Sequence, residues 1–309
     1  MATKLAHTVV EAATVLCVRA SKHRSPSRIL TAKDYVGSLE LSAEASKQLG
    51  SFEWRFESGL QLLLGQSEVV NYVRSTSPEK LSMMRYGGEL KFAGGSKDEG
   101  ETIEEAARRE LSEEFSVEVP AEAVLRPFRV NSTRAIQGKS FLMFNYIALA
   151  EENPWLERLD VDAVNARLVQ QREHFKTLAN PDAASGEPGH FWSMAKGARE
   201  SVSPEVHELA WVDIGEVVHS FLTSKGRQLV PVNDFQKCEF DKYGIKQRDP
   251  MYASMQTVRL LEEVGSIEAL RGLPRHFDVA KIEQARLAAN THTGKPGSAA
   301  HYQGAVSKL

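Results

Sequence analysis

The chain has 309 residues, of which 42% are hydrophobic and 26% charged, with a formal net charge of -3. That length is enough to bury a sizeable core, and a charge so near neutral excludes the global positive field of a nucleic-acid or anionic-membrane binder. No run approaches the roughly 20 apolar residues of a membrane span, and the two cysteines, Cys17 and Cys238, have neither metal-ligand spacing nor the look of a disulfide scaffold.

Taken in chain order, the first segment is basic and contains a single acid before Lys33, Glu11. A transit peptide has that composition, but Glu11 interrupts any signal-peptide core and residues 8–19 are apolar and β-branched, which predicts a strand. Residues 21–82 are mixed, with a helix predicted near 42–49 and an aromatic-containing segment over 52–64. A short strand over 89–92 runs into Gly94 and Gly95, a helix follows over 102–115, and strands are predicted over 125–130 and 140–148. The last of these is apolar on both faces, as in a strand covered on both sides.

Residues 151–204 read as an insertion, with a helix over 161–178 and a Pro/Gly/Ser-rich loop over 180–189. A strand over 209–214 and a helix over 215–223 follow. Asp249 and Pro250 mark a helix start, with the helix ending at Gly265, and Asp278 caps another that runs to Ala289. Strands and helices alternate without the rhythm of a doubly wound parallel sheet, so the expected fold is α/β, a mixed sheet between helices. The chain ends in a tail over 290–309 poor in large apolar residues, closed by Ser307-Lys308-Leu309, the tripeptide read as a peroxisomal address.

The chemistry lies in the helix over 102–115. Glu110, Glu113 and Glu114 stand at i, i+3 and i+4, so at about 100° per residue they share one helical face. Three carboxylates there repel each other, and a solvated acidic face is the plain alternative. The surroundings favour a site: Gly94 and Gly95 allow close backbone approach before the helix, and Arg109, four residues after Glu105 and four before Glu113, can orient a carboxylate. Hard oxygen ligands of this kind suit Mg²⁺ or Mn²⁺.

The segment over 95–117 resembles the Nudix box, G-x5-E-x7-R-E-U-x-E-E-x-G-U with U aliphatic. Gly95, Glu101, Arg109, Glu110, Leu111, Glu113, Glu114 and Val117 match it, an agreement that average composition gives by chance on the order of once in 10⁵ chains. Ser116 stands where the family has glycine, and Ala93 where a proline is frequent. The resemblance implies an α/β/α sandwich over 8–222 with insertions at about 21–82 and 151–204; the capped helices beyond it read as a helical extension over 223–289. It implies a divalent-metal-dependent diphosphatase acting on a nucleoside diphosphate linked to another moiety. Glu113, Glu114 and the Gly94 carbonyl are then metal ligands, Glu110 a ligand or the base that activates water, and Arg109 with Glu101 the tie between loop and helix. A further family glutamate before the closing strand with Trp211 falls on Glu205 or Glu208, with Glu205 preferred.

Substrate markers are sparse. The coenzyme A signature keeps only its end at Phe92-Ala93-Gly94-Gly95. The ADP-ribose proline, the tyrosine of diadenosine polyphosphate enzymes and the zinc ribbon of NADH enzymes are missing. The terminal tripeptide then directs the expectation to peroxisomal substrates, coenzyme A or acyl-CoA, with NAD(H) or ADP-ribose and dinucleoside polyphosphates as alternatives and a cytoplasmic location as the other reading. Expected partners are the small nucleotide and the import receptor, with a homodimer open, and Arg85, Lys91 and Arg134 are candidate phosphate contacts. A non-catalytic Nudix-fold binding protein is the rival of another class. An isopentenyl diphosphate isomerase needs a cysteine in the site, which Cys17 and Cys238 do not supply.

Overall fold

The computed structural model describes residues 8–20, 29–31, 55–57, 59–68, 90–132, 139–179, 205–214, 217 and 266–291. The strands are β1 (Thr8–Ala20), β2 (Ile29–Thr31), β3 (Arg55–Glu57), β4 (Leu60–Ser67), β5 (Leu90–Lys91), β6 (Ala93–Ser96), β7 (Arg126–Ser132), β8 (Lys139–Leu149) and β9 (Val206–Asp213). The helices are α1 (Ile103–Phe115), α2 (Pro154–Glu157), α3 (Val161–Ala179), α4 (Ile267–Arg271) and α5 (Val279–Thr291). Seven strands form one mixed sheet around the order β5-β4-β1-β8-β7, with β9 on the other side of β4, while β2 and β3 pair separately. The architecture is the expected α/β one.

β1 is the spine. Its run of Ala, Val, Leu and Cys is buried from Ala12 to Val18, and it lies parallel to β8 along eleven residue pairs from Thr8↔Lys139 to Val18↔Leu149. On its other edge two partners take turns: β6 pairs with Ala12–Val15 and β4 with Cys17–Ala20. β1 and β4 therefore fork, and residues 90–96 fill the fork, pairing first with β4 through Leu90 and Lys91 and then with β1. This crossing delivers Gly94 and Gly95 beside the middle of β1.

Alternation along the strands puts Ala13, Val15, Cys17, Phe144 and Tyr146 on one face, in a core shared with Ala106, Ala107, Leu111 and Phe115 of α1 and Val164 and Leu168 of α3. Leu16, Leu62, Leu64 and Ile147, on the alternate positions, are buried too, so both faces of the sheet are covered.

Several boundaries differ from expectation. Residues 60–67, expected within an insertion, form β4 in the middle of the sheet; its apolar run is short, Leu62 to Leu64, a pattern whose strand character only its neighbours reveal. The start of the expected insertion over 151–204 belongs to the core, through Leu156, Val164 and Leu168. β9 begins at Val206, earlier than expected, and so contains Glu208. In the expected extension, α5 packs on β7 and β8. Phe277, just before α5, meets the rings of Phe144 and Tyr146 edge-on at 5.2 and 5.0 Å. Asp278 caps α5 as expected, accepting from the Ala280 amide at 2.9 Å; α4, capped by Ser266, was not anticipated. The helices expected near 42–49 and 250–264 and the terminal tripeptide lie outside the described residues, as does nearly all of the one expected over 215–223.

The C-terminus of α1 shows what the missing glycine does. Ser116 adopts φ 50° and ψ 41°, the left-handed conformation, and its amide and that of Val117 close on the Ser112 carbonyl. A side chain there costs about 1 kcal/mol relative to glycine. Part of this is offset, because Ser116 Oγ donates to Gln171 Oε1 at 3.0 Å and the Ser116 carbonyl accepts from Arg167 at 3.1 Å. An exposed hydrogen bond is worth less than the strain, so Ser116→Gly is expected to stabilise the protein by about 0.5 kcal/mol. A urea midpoint that falls in the variant, at unchanged slope, would contradict this account.

Candidate active site

α1 begins on a capping box. Thr102 Oγ1 accepts from the Glu105 amide at 3.2 Å, and Glu105 Oε2 accepts from the Thr102 amide at 2.7 Å. The Thr-x-x-Glu spacing is itself a sequence signal for this helix start. It takes Glu105 away from Arg109, which turns instead to the loop before the helix.

Arg109 is the hub. Its Nε donates to Glu101 Oε1 at 2.9 Å, and one terminal nitrogen donates to Glu101 Oε2 at 3.2 Å and to the Ser96 carbonyl at 2.9 Å. The other donates to Glu110 Oε1 at 2.8 Å and Glu113 Oε2 at 3.1 Å. Five contacts match the five N–H groups of a guanidinium. Glu101 is held well below the usual carboxylate range by these hydrogen bonds, and Arg109 is pushed up.

The glycines set how closely the loop approaches. A Cβ on Gly95 would lie 2.4–2.6 Å from the carboxyl group of Glu110, and one on Gly94 would lie 2.4 Å from the Ala13 carbonyl oxygen of β1. Glu110 thus lies over Gly95 because that residue has no side chain, and Gly94 meets the backbone of β1 for the same reason.

Glu114 is the buried member of the set, with its side chain 6% exposed, whereas Glu113 is 61% exposed. The Gly94 amide donates to Glu114 Oε2 at 2.8 Å, and Lys91 of β5 donates to Glu114 Oε1. The same ammonium lies 3.6 Å from Glu205 Oε2. Burial pushes the Glu114 carboxyl up to about 7 against the pull of Lys91, and Glu205 adds to the rise. Burial also raises Glu110, Arg109 opposes it, and Glu205 and Glu113 reinforce it.

The structure therefore brings together Glu101, Arg109, Glu110, Glu113, Glu114, Gly94, Gly95, Lys91 and Glu205. Glu208 lies within β9, paired opposite Gln66. Arg85 and Arg134 lie outside the described residues. From sequence, Lys91 has only a general place near the site; its position between two acids depends on β5 lying beside β4, which no local spacing encodes.

Carboxylate oxygens are the donors a hard divalent cation takes, and the glycine loop leaves room for Glu110. Among the described residues, no three His, Cys, Asp or Glu side chains are gathered closely enough to hold an ion. The acids are turned instead to Arg109 and Lys91. The donor set fits such a cation in kind and in placement on one helix face, with its charge balanced by the protein's own cations.

Residues 59–186 match the family model of the NUDIX domain. A comparison with curated proteins gives no match. Among solved structures, a mutT/nudix family protein from Listeria innocua is similar at 14% identity, covering 76% of this chain and 93% of that one with a TM-score of 0.30. The MutT protein from Methanosarcina mazei Go1 is 12% identical over 79% of this chain and 100% of its own, with a TM-score of 0.31. An Ap4A hydrolase from C. elegans is 15% identical over 46% of this chain and 68% of its own, with a TM-score of 0.25.

Two substitutions separate the roles of the glycines. Gly94→Ala drives a side chain into the backbone of β1 and is expected to cost about 1–3 kcal/mol. Gly95→Ala meets only the movable end of Glu110, so it is expected to keep the fold within about 1 kcal/mol, and, if Glu110 serves the reaction, to lower turnover at least tenfold by displacing it. Denaturation midpoints and steady-state rates check both, and equal stability losses would contradict the assignment. The glutamate face and the loop drawn onto it by Arg109 both lie inside the segment, residues 59–186, that matches the NUDIX domain model.

Proposed function

We propose that this protein is a Mg²⁺- or Mn²⁺-dependent hydrolase that cleaves the diphosphate of a nucleoside diphosphate joined to a second moiety, with coenzyme A or an acyl-CoA as the first candidate substrate. The observation that carries the reading is the carboxylate face of α1, with Glu110 over Gly95, Glu114 on the Gly94 amide, and Glu110 and Glu113 held by Arg109. A binding module has no use for so repulsive a cluster, which argues against the non-catalytic alternative.

In this reading Glu113, Glu114 and the Gly94 carbonyl hold the cation, with Glu110 as a further ligand or as the base toward water. The bound cation supplies charge neutralisation at the bridging phosphates and acidity to water. Arg109 fixes the rotamers of Glu110 and Glu113, which prepays the orientation of both groups. Glu205, next to Lys91 and within electrostatic reach of Glu110 and Glu114, is a candidate for a supporting acid.

The choice of substrate rests on the terminal Ser307-Lys308-Leu309. A peroxisomal enzyme meets coenzyme A, acyl-CoAs and NAD(H), so NAD(H) or ADP-ribose is the second reading. The C. elegans structure is named for Ap4A, which keeps dinucleoside polyphosphates in the same panel.

Glu113→Gln is the clean test, because its exposure leaves the fold intact. It is expected to lower turnover by at least about 10²-fold on whichever of coenzyme A, acyl-CoA, NADH, ADP-ribose or diadenosine polyphosphate the wild type cleaves, with products identified by mass. Near-normal turnover would remove Glu113 from the site, and a wild type inert on the whole panel with metal would favour the binding alternative. For the address, an N-terminal fluorescent tag is expected to report peroxisomes, and deletion of the last three residues to return the protein to the cytosol. A cytosolic pattern for the intact chain would withdraw the preference for coenzyme A.

A further inference from the structure

Lys91, a candidate phosphate contact by sequence, touches two acids of the site. Its ammonium touches Glu114 and lies 3.6 Å from Glu205, on a side chain only 20% exposed. Burial alone would lower the Lys91 ammonium, but Glu114 and Glu205 outweigh it and hold it above its usual value.

Arg109 cannot take over this role. Its five donors are engaged by Glu101, Ser96, Glu110 and Glu113. Glu114 therefore depends on Lys91 for charge balance, with its second oxygen fixed by the Gly94 amide at 2.8 Å. The two carboxylate oxygens thus have separate partners, Oε2 the Gly94 amide and Oε1 the lysine. A divalent cation that uses Glu114 must draw on a carboxylate whose charge is already balanced by Lys91, and two cations on one carboxylate repel.

We propose that Lys91 is the internal counter-cation of the carboxylate site: it holds Glu114 and Glu205 when no divalent cation is bound, competes with that cation for Glu114, and moves off when the cation arrives. The inference rests on the metal-dependent reading of the same site. It makes Lys91 a positioning residue that sets the metal concentration the site requires. Removing one partner of a buried pair leaves the other uncompensated, so the lysine also keeps the metal-free fold intact.

Lys91→Met keeps the length and the apolar stem without the charge. In chelator it is expected to melt at a lower temperature than wild type. Titrated with Mn²⁺ in a calorimeter, it is expected to bind about tenfold more tightly, and Mn²⁺ is expected to raise its melting temperature by more than it raises that of wild type. Lys91→Arg, which keeps the charge, is expected to stay near wild-type affinity. Amine labelling of the wild-type protein needs no substitution: labelling of Lys91, read by mass spectrometry, is expected to increase when Mn²⁺ is added. Mn²⁺ affinity in Lys91→Met that is unchanged or weaker, or Lys91 labelling indifferent to bound Mn²⁺, would overturn the inference while leaving the metal-dependent reading in place. A wild type that binds no Mn²⁺ would overturn both.

Discussion

The guanidinium of Arg109 is the interaction on which the site depends. Three glutamates on one helical face repel, and an isolated helix would be weakened by a few tenths of a kcal/mol per like-charged pair. Arg109 reverses the sign of that problem by sitting among Glu101, Glu110 and Glu113 while reaching the Ser96 carbonyl. One side chain thereby ties the loop that carries Gly94 and Gly95 to the helix that carries the acids. Lysine would not serve, because a point charge lacks the planar fork that addresses several acceptors at once.

The helix can sit where it does because the sheet lets a second strand approach β1. The fork between β1 and β4 leaves a gap that residues 90–96 fill, and Gly94 enters it with its Cα against the Ala13 carbonyl. On the far side of the helix, Ala106, Ala107, Leu111 and Phe115 are fully buried against the sheet. The apolar face supplies the burial that holds a repulsive polar face in place.

The C-terminal helices belong to the same body. Phe277 packs on Phe144 and Tyr146, Ser140 Oγ donates to the Ala289 carbonyl at 3.0 Å, and Arg126 donates to the Leu273 carbonyl at 2.9 Å. These contacts brace β7 and β8, the side of the sheet away from β4 and β5. The carboxylates and the C-terminal brace thus load opposite sides of one spine, β1 with β8.

What the sequence determined by itself was local. The i, i+3, i+4 glutamates, the glycine pair, the arginine between them and the Asp278 cap are patterns within a few turns of chain, and backbone geometry fixes where such residues point. β1, β8 and α3 were legible because their apolar patterns are long. Tertiary structure alone decided the rest. β4 was hidden because a short apolar run declares itself a strand only when β1 and β9 pair with it. The further reach of Arg109, to the Ser96 carbonyl, depends on the loop lying against the helix. Lys91 came to lie between Glu114 and Glu205, residues distant from it in the chain, because β5 pairs with β4, β9 pairs with β4, and α1 packs across them. Charge partners across strands are set by sheet order, and sheet order is a property of the whole chain.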